Sequence, residues 1–413
     1  MSNLFTAAVQ NLVTPQLRSG LTDGNSWPFF GFKLTEAGKK VNTHSALTVS
    51  AFYCAVNTIA NSFALLPHSV MKTTGKTRAH FTDHPADYLL YREPNSQMTA
   101  FTFKFIMAVS VLMKGNAYAL IIRDNSGNII SYQFLAHDDV SVLESNGKLF
   151  YKYKNQVPYS AAEIIHVPGF SFDGITGKSV IHHAADNMGV SLAAQKFGSD
   201  SLADRGISQG VIETELAVKP DAKKRISDAW TAALSSGNKH RAAVLDEGFK
   251  YKSLVLSPSE SKFIETYAAS IEDIARWFQI PSYKLHIKGE GGYNFIVQLS
   301  IEYVQSAVMP FAEKFKQELE RKSFTASERK SGVYIFQNFK KLLQADPAAR
   351  GQFYKDLVFV RAITPNEIRE LEDMNPEDGG DEFLQMSNLL NESQIKKMIS
   401  AEPKDKKQVK DEN

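Results

Sequence analysis

Cysteine is all but missing from this sequence: Cys54 is the only one in 413 residues. A disulfide framework and a cysteine-based zinc site both need more, so both are excluded. Cys54 lies in AFYCAVNTIA and reads as a small buried hydrophobe, which suits a reducing compartment. An excess of one charge is missing too, with 47 Lys and Arg against 45 Asp and Glu. That balance argues against a surface that coats nucleic acid all over and confines any DNA contact to a local patch. A long unbroken apolar run is the third absence. The most membrane-like stretch, FTFKFIMAVSVLMKGNAYALII (101–122), is interrupted by Lys104, Lys114, Gly115 and Asn116, whereas a spanning helix needs about 20 apolar residues. It reads as a buried helix followed by a strand, and no membrane contact is expected. MSNLFTAAVQNLVTPQ has no charged segment leading into an apolar core, so no signal peptide is expected. There is no internal repeat and no coiled-coil heptad.

What is present is an ordinary globular composition, 43% hydrophobic and 22% charged, long enough for a large core and two or three domains. Residues 1–45 are rich in Gly, Ser, Thr and Asn and read as an irregular arm. Apolar residues at helical spacing over 46–66 predict a helix that Pro67 stops. A short helix in HPADYLLY and a turn at Glu93-Pro94-Asn95 follow, and Thr99 is placed to cap the helix carrying Phe101, Phe105 and Val109. NAYALIIRDNSGNIISYQFL predicts a β-hairpin around Asp124–Gly127, and short strands follow at Val140–Leu143, Leu149–Tyr153 and Ile164–Val167. The pattern turns helical from Ser179 to Leu202, and Gly206 and Gly210 end it. Strands at Gly210–Glu213, Ala242–Leu245 and Tyr251–Leu254 and a helix near Pro220 make a small α/β stretch. Ser259 is a good N-cap for a helix whose stripe includes Phe263, Ile264, Tyr267, Ile271, Ile274 and Phe278. Pro281 ends it. A further helix over Phe295–Arg321 holds Pro310 and should kink or break there. Thr364, Pro365 and Glu367 mark another helix start. The tail EPKDKKQVKDEN reads as disordered.

Several motifs approach a chemistry without reaching it. GITGKS (174–179) lacks the spacing of a phosphate-binding P-loop: two residues separate Gly174 from Gly177 where four are needed, and Phe172 stands in for the first glycine. The plainer reading is a turn into a helix capped by Ser179. GFSFD (169–173) puts Asp173 where a nucleophile elbow needs its last glycine, which leaves Ser171 in a structural turn. His182 and His183 point about 100° apart on a helix and cannot easily share one ion. Lys223, Lys224 and Arg225, and again Lys239, His240 and Arg241, form weak basic clusters, either solvated faces or a partner-docking surface. HIKGEGGYNF (286–295) concentrates Gly289, Gly291 and Gly292 beside Lys284, His286 and Lys288. No strand precedes it, so neither a P-loop nor a dinucleotide fold is supported. It reads as an interhelical loop that could approach a polyanion.

In order along the chain, these stretches resemble the portal proteins of tailed bacteriophages, of the HK97-like type. The resemblance runs from about residue 46 to 382 through AVNTIANSFALLP, HPADYLLYREPN, KGNAYALIIRDNSGNI, HVPGFSFDGITGKSVI, VLDEGFKYKSL, ARWFQIPSYKL, the Pro310 helix and ITPNEIRELEDMNPEDGGDE. It implies a homo-oligomeric ring, a dodecamer, at one vertex of the capsid of the virion, assembled in the host cytoplasm. Double-stranded DNA passes through its channel without sequence preference during packaging and ejection. The packaging ATPase is then a separate protein, the large terminase, so this chain is expected to be no enzyme and to need no cofactor or metal. Terminase, a head–tail adaptor and the major capsid protein are the implied partners.

The implied fold is α+β, a mixed α/β wing with two stem helices, a small clip, a kinked wing helix and a helical crown. Residues 1–45 form the N-terminal arm, 46–180 the wing, 181–206 one stem helix, 207–258 the clip, 259–281 the other stem helix and 282–294 the tunnel loop. Residues 295–335 form the kinked wing helix, 336–390 the crown and 391–413 a disordered tail. The tunnel loop takes Lys284, His286, Lys288, Gly289, Gly291, Gly292, Tyr293 and Asn294 to the channel, and the basic clip residues face docking partners. Two other readings compete: a hydrolase or nucleotide-binding enzyme using Ser171 or Lys178 of GFSFDGITGKS, and another structural protein of the head–tail connector.

Overall fold

The computed structural model describes residues 16–17, 33–35, 38–154, 156–203, 210–214, 220–221, 223–225, 227–228, 249–253, 259–286, 293–339, 342, 347–372 and 374–384. It is α+β, with helices packed on antiparallel sheets, and its chain divides into two units, Met1–Phe339 and Lys340–Asn413.

The reading of 1–45 as irregular is corrected where residues are described. Lys33–Leu34 pairs antiparallel with Lys40–Val41, and Gln16–Leu17 adds to a sheet edge opposite Glu144 and Leu143. Backbone pairing satisfies donors that polar composition alone suggested would face water. The first long helix, α1 (Ser50–Ala64), buries Phe52, Ile59 and Phe63. Cys54 on it is half-buried rather than buried, with its thiol against the Lys284 carbonyl at 3.5 Å. Strands β1 (His68–Thr74) and β2 (Thr77–His80) pair antiparallel. Helix α2 (Pro85–Tyr91) is followed by α3 (Ala100–Lys114), whose Thr99 hydroxyl accepts from the Thr102 N–H as the sequence predicts.

Gly115, at φ 85°, closes α3 and turns the chain into the predicted hairpin of β3 (Asn116–Arg123) and β4 (Ile129–Leu135). The Asp124 carboxylate accepts from Ser126 and Asn128 N–H groups and fixes the turn. β5 (Val140–Ser145) and β6 (Lys148–Tyr153) pair with each other, and β7 (Ile164–Pro168) pairs with β3. A small hairpin, β8 (Phe170–Ser171) and β9 (Gly177–Lys178), follows. After the turn Val180–His183 comes α4 (Ala185–Ala203). β10 (Gly210–Thr214) pairs with β11 (Phe249–Ser253); Gly206 and the strand predicted at 242–245 lie outside the described residues.

Helix α5 (Ser259–Phe278) has Ser259 as its first residue rather than as the cap before it. Helices α6 (Tyr293–Tyr303) and α7 (Met309–Ser323) frame the break expected near Pro310. That break is a π-helical turn, Val304–Val308. Pro310 has no N–H to give the Ser306 carbonyl, and its ring crowds that oxygen, so the backbone widens one turn upstream. The Ser306 hydroxyl donates back to the Glu302 carbonyl at 2.7 Å. The core of this unit gathers where α1, β1 and α7 meet: the Phe63 ring stands edge-on to His68, Phe311 and Phe315.

Strand β12 (Val333–Gln337) pairs with β1 along its whole length. It therefore runs through the 335/336 junction read from the sequence, and the division of the chain falls after Phe339. In the second unit, α8 (Pro347–Phe359) and α9 (Pro365–Leu371) are joined by Tyr354 donating to Glu372 at 2.7 Å and by an Arg350–Glu372 ion pair at 3.0 Å. Thr364 and Glu367 form the predicted capping box.

Candidate functional site

Helices α4 and α5 pack antiparallel along a polar seam. On α4, Asn187, Ser191 and Gln195 recur every fourth residue; on α5 their partners run backwards, Asp273, Ser270 and Tyr267. Asn187 Nδ2 donates to Asp273 Oδ2 at 2.6 Å, Ser191 Oγ to Ser270 Oγ at 2.9 Å, and Gln195 Nε2 to the Tyr267 hydroxyl at 3.4 Å. Small and polar side chains let the helices approach closely, and directional bonds fix their register. Thr35, buried beside the seam, fills the place a side chain at Gly189 would take: a Cβ there would stand 2.3 Å from its hydroxyl.

At one end of the pair the chain leaves α4 and returns to α5 through the β10–β11 ribbon. Lys223, Lys224 and Arg225 are exposed in the intervening segment. Lys239, His240 and Arg241 lie outside the described residues.

At the other end, α5 stops with Gln279 in the left-handed region at φ 54°. Pro281 starts a single 3-10 turn, Ser282–Leu285, and His286 at φ 60° ends it, exposed. Lys288, Gly289, Gly291 and Gly292 lie outside the described residues. Tyr293 and Asn294, read from the sequence as loop, already belong to α6, so that helix begins two residues before the predicted Phe295. The base of this connection is built tightly. The Lys284 ammonium lies 5.4 Å from the Tyr283 ring centre and 5.1 Å from that of Tyr303. The Tyr283 hydroxyl meets Ser300 Oγ at 2.7 Å, and the Tyr303 hydroxyl meets Ser62 Oγ at 2.8 Å and the Thr58 carbonyl at 3.1 Å, with one proton shared between them. Burial pushes the Tyr303 phenol up to about 12, so it stays protonated and holds those bonds. Tyr303 escaped the sequence reading because it lies on another helix, 19 residues beyond Lys284, with no motif linking the two.

GFSFDGITGKS has a structural role in this fold. Asn116, at the start of β3, accepts the Gly177 N–H at 2.7 Å and the His166 Nε2–H at 3.0 Å on Oδ1, and returns a bond from Nδ2 to the Gly177 carbonyl at 2.8 Å. His166 Nδ1 accepts from the Tyr151 hydroxyl at 3.1 Å. Burial pushes His166 down to about 3, so the imidazole is neutral. Ser171 Oγ lies 2.8 Å from both an Asp173 carboxylate oxygen and the Thr176 carbonyl, and its one proton is shared between these acceptors. Asp173 also receives two backbone N–H groups and the Thr176 hydroxyl, which hold its carboxyl well below the usual carboxylate range although partial burial opposes them. Ser171 thus faces an acceptor that orders a turn, and both nitrogens of His166 are engaged elsewhere. Ser179 occupies the N-cap backbone position, but its hydroxyl donates to the Met113 carbonyl at 2.6 Å instead of capping. Among the described residues no cluster of His, Cys, Asp and Glu could hold a metal ion, and no helix is long and apolar enough to cross a membrane.

Residues 50–373 match the family profile described as phage portal protein. The chain is 26% identical to the portal protein of Enterobacteria phage HK97 over 361 residues, 85% of this chain and 84% of that one. It is 27% identical to the probable portal protein of Streptomyces phage phiC31, over 82% and 78% of the two chains. Its fold is similar to the crystal structure of an HK97-family phage portal protein from Corynebacterium diphtheriae, with a TM-score of 0.55 and 18% identity over 76% of this chain and 99% of that one. It is also similar to a chain in the neck of a native gene transfer agent particle computed with C12 symmetry, with a TM-score of 0.57 and 19% identity over 90% and 99%. With the profile matched over residues 50–373 and relatives matched over most of their length, this chain belongs to the phage portal protein family, in its HK97-like branch.

Proposed function

We propose that twelve copies of this chain close into the ring-shaped DNA channel at one vertex of a phage capsid. Double-stranded DNA is driven through it by a separate large terminase during packaging and leaves by it on ejection. The observation that carries this reading is the antiparallel α4–α5 pair, with an inserted segment at one end and a lysine- and glycine-bearing loop at the other, in a chain of the portal family. The C12 neck of the gene transfer agent particle supports the subunit number. In this reading residues 46–180 are wing, 181–206 and 259–281 the stem helices, 207–258 the clip that docks terminase and later a head–tail adaptor, 282–294 the tunnel loop, 295–335 the kinked wing helix and 336–390 the crown. The ring sits in the virion against the major capsid protein and assembles in the host cytoplasm.

The physics suits such a channel. Lys and Arg contacts with phosphate set the strength of sequence-independent DNA binding, and a conduit must let DNA slide. A near-neutral chain with few basic groups on its loop gives weak contact. Negative-stain electron microscopy of the purified full chain, with mass from light scattering, tests the reading. Rings with a central hole and a mass near twelve copies are expected; a uniform monomer or dimer under every assembly condition tried overturns it.

A further inference from the structure

We propose that the β8–β9 hairpin is a knob for contact between copies, with Phe170 and Phe172 of one copy packed against Trp277 of the next. The inference rests on the ring reading and assigns one of its contacts. Phe172 is the most exposed large apolar side chain among the described residues, at 76%, and Phe170 is 62% exposed. Their rings stand edge to face, 5.1 Å apart, so the pair presents one shaped apolar surface to water.

The knob is rigid. Its loop is tied by the four groups that bond Asp173. Its far strand is wedged at Gly177, where a Cβ would stand 1.9 Å from the Gly115 carbonyl oxygen. Its near strand is clamped by Lys314 donating to the Gly169 carbonyl at 3.0 Å. A rigid exposed aromatic pair loses little freedom on docking, which is the character of an interface anchor.

Position selects the partner surface. The Phe170 ring lies 6.4 Å from that of His183, two residues before α4 begins. The first turn of α4 reaches across to Asp273 through Asn187. The knob therefore lies level with the end of α5 that carries Trp277. In a ring made by rotation about one axis, neighbours sit at one height, so with the α4–α5 pair along that axis a surface meets another at its own level. Trp277 is 45% exposed there, while Ile274 and Phe278 on either side of it are buried. Knob and tryptophan are different surfaces of one chain, which makes the contact head-to-tail, as a closing ring requires.

The test uses the full chain. Phe170→Ser with Phe172→Ser, and separately Trp277→Ser, should each reduce the particle mass about twelve-fold, from ring to single copy, while circular dichroism still shows a folded chain, because these side chains are exposed on the single copy. A second readout does not depend on how those variants fold. In a Cys54→Ala background, Phe172→Cys together with Trp277→Cys should give a ladder of linked copies on a non-reducing gel after oxidation, and neither cysteine alone should. Intact rings in the serine variants, or rings without a ladder in the paired variant, overturn the contact. A wild-type chain that never forms rings overturns the ring reading itself, so the two failures are told apart.

Discussion

A Cβ at Gly177 would collide with the Gly115 carbonyl oxygen and with the Gly169 N–H nitrogen, 2.6 Å away, and all of these atoms are backbone. Gly177→Ala should therefore cost about 3 kcal/mol, the upper end for forced overpacking. Gly174→Ala, in the same motif at φ 72° with nothing within 4 Å of its Cβ, should cost about 1 kcal/mol for the left-handed backbone alone. Urea unfolding of the two variants separates the cases. GITGKS could be read from sequence as a turn rather than a P-loop, because spacing is local information. That its second glycine exists to let three backbone segments meet could not, because the partner lies in another element. Lys104 shows the same limit. It is buried, and among the described residues its ammonium bonds the Leu66 carbonyl alone, at 2.6 Å. Burial pushes it down from 10.5 to about 8, a difference of roughly 3 kcal/mol against the charged form. Below pH 8 folded and unfolded chains are both protonated and the cost is complete; between 8 and 10.5 the unfolded chain holds more protons, so stability rises with pH. Lys104→Met should raise the melting temperature most at pH 7, with the advantage shrinking toward pH 10. An equal gain at both pH values would show that burial of charge is not the cause.

Between elements, the joints hold the departures from expectation. Thr99, the hairpin at Asp124 and the Thr364 box stood where the sequence put them, since caps and tight turns are written in three or four adjacent residues. The Pro310 break became a π-turn one step upstream, because the residue that loses its donor is Ser306, not the proline. The strands at 16–17 and 33–34 went unread because two-residue strands carry no periodicity and depend on a partner elsewhere. The end of α5 is a joint of another kind. Gln279 sits at φ 54° while the Ile280 N–H returns to the Ala275 carbonyl at 2.9 Å, an arrangement that glycine favours. Gln279→Gly should stabilise the chain by about 0.5–1 kcal/mol, seen as a higher urea midpoint with an unchanged slope. A lower midpoint would mean that the glutamine side chain contributes more than its backbone conformation costs.

In the proposed ring, what matters is how many cations each copy would offer to DNA. The sequence grouped Lys284, His286 and Lys288 on one glycine-rich loop, and charge alone made them equivalent. The fold restrains one of them. Lys284 is held over two tyrosine rings, one of them anchored to α1 through Ser62 and Thr58, so its charge belongs to the base of the loop. The sequence could place the lysine but not the Tyr303 that restrains it. Each lysine that neutralises a phosphate releases counterions and adds about 0.9 to the slope of log affinity against log salt concentration. If Lys288 is the loop's working cation, Lys288→Ala should reduce that slope by about 1 for each copy in contact with the duplex and weaken binding equally on unrelated sequences. Lys284→Ala should leave the slope unchanged and lower the melting temperature instead, through the lost ring contacts. Salt titrations on two unrelated duplexes, beside thermal melts of both variants, decide between them. Slopes that fall together would show that Lys284 leaves its tyrosines to reach DNA and that the base of the loop opens when the channel is filled.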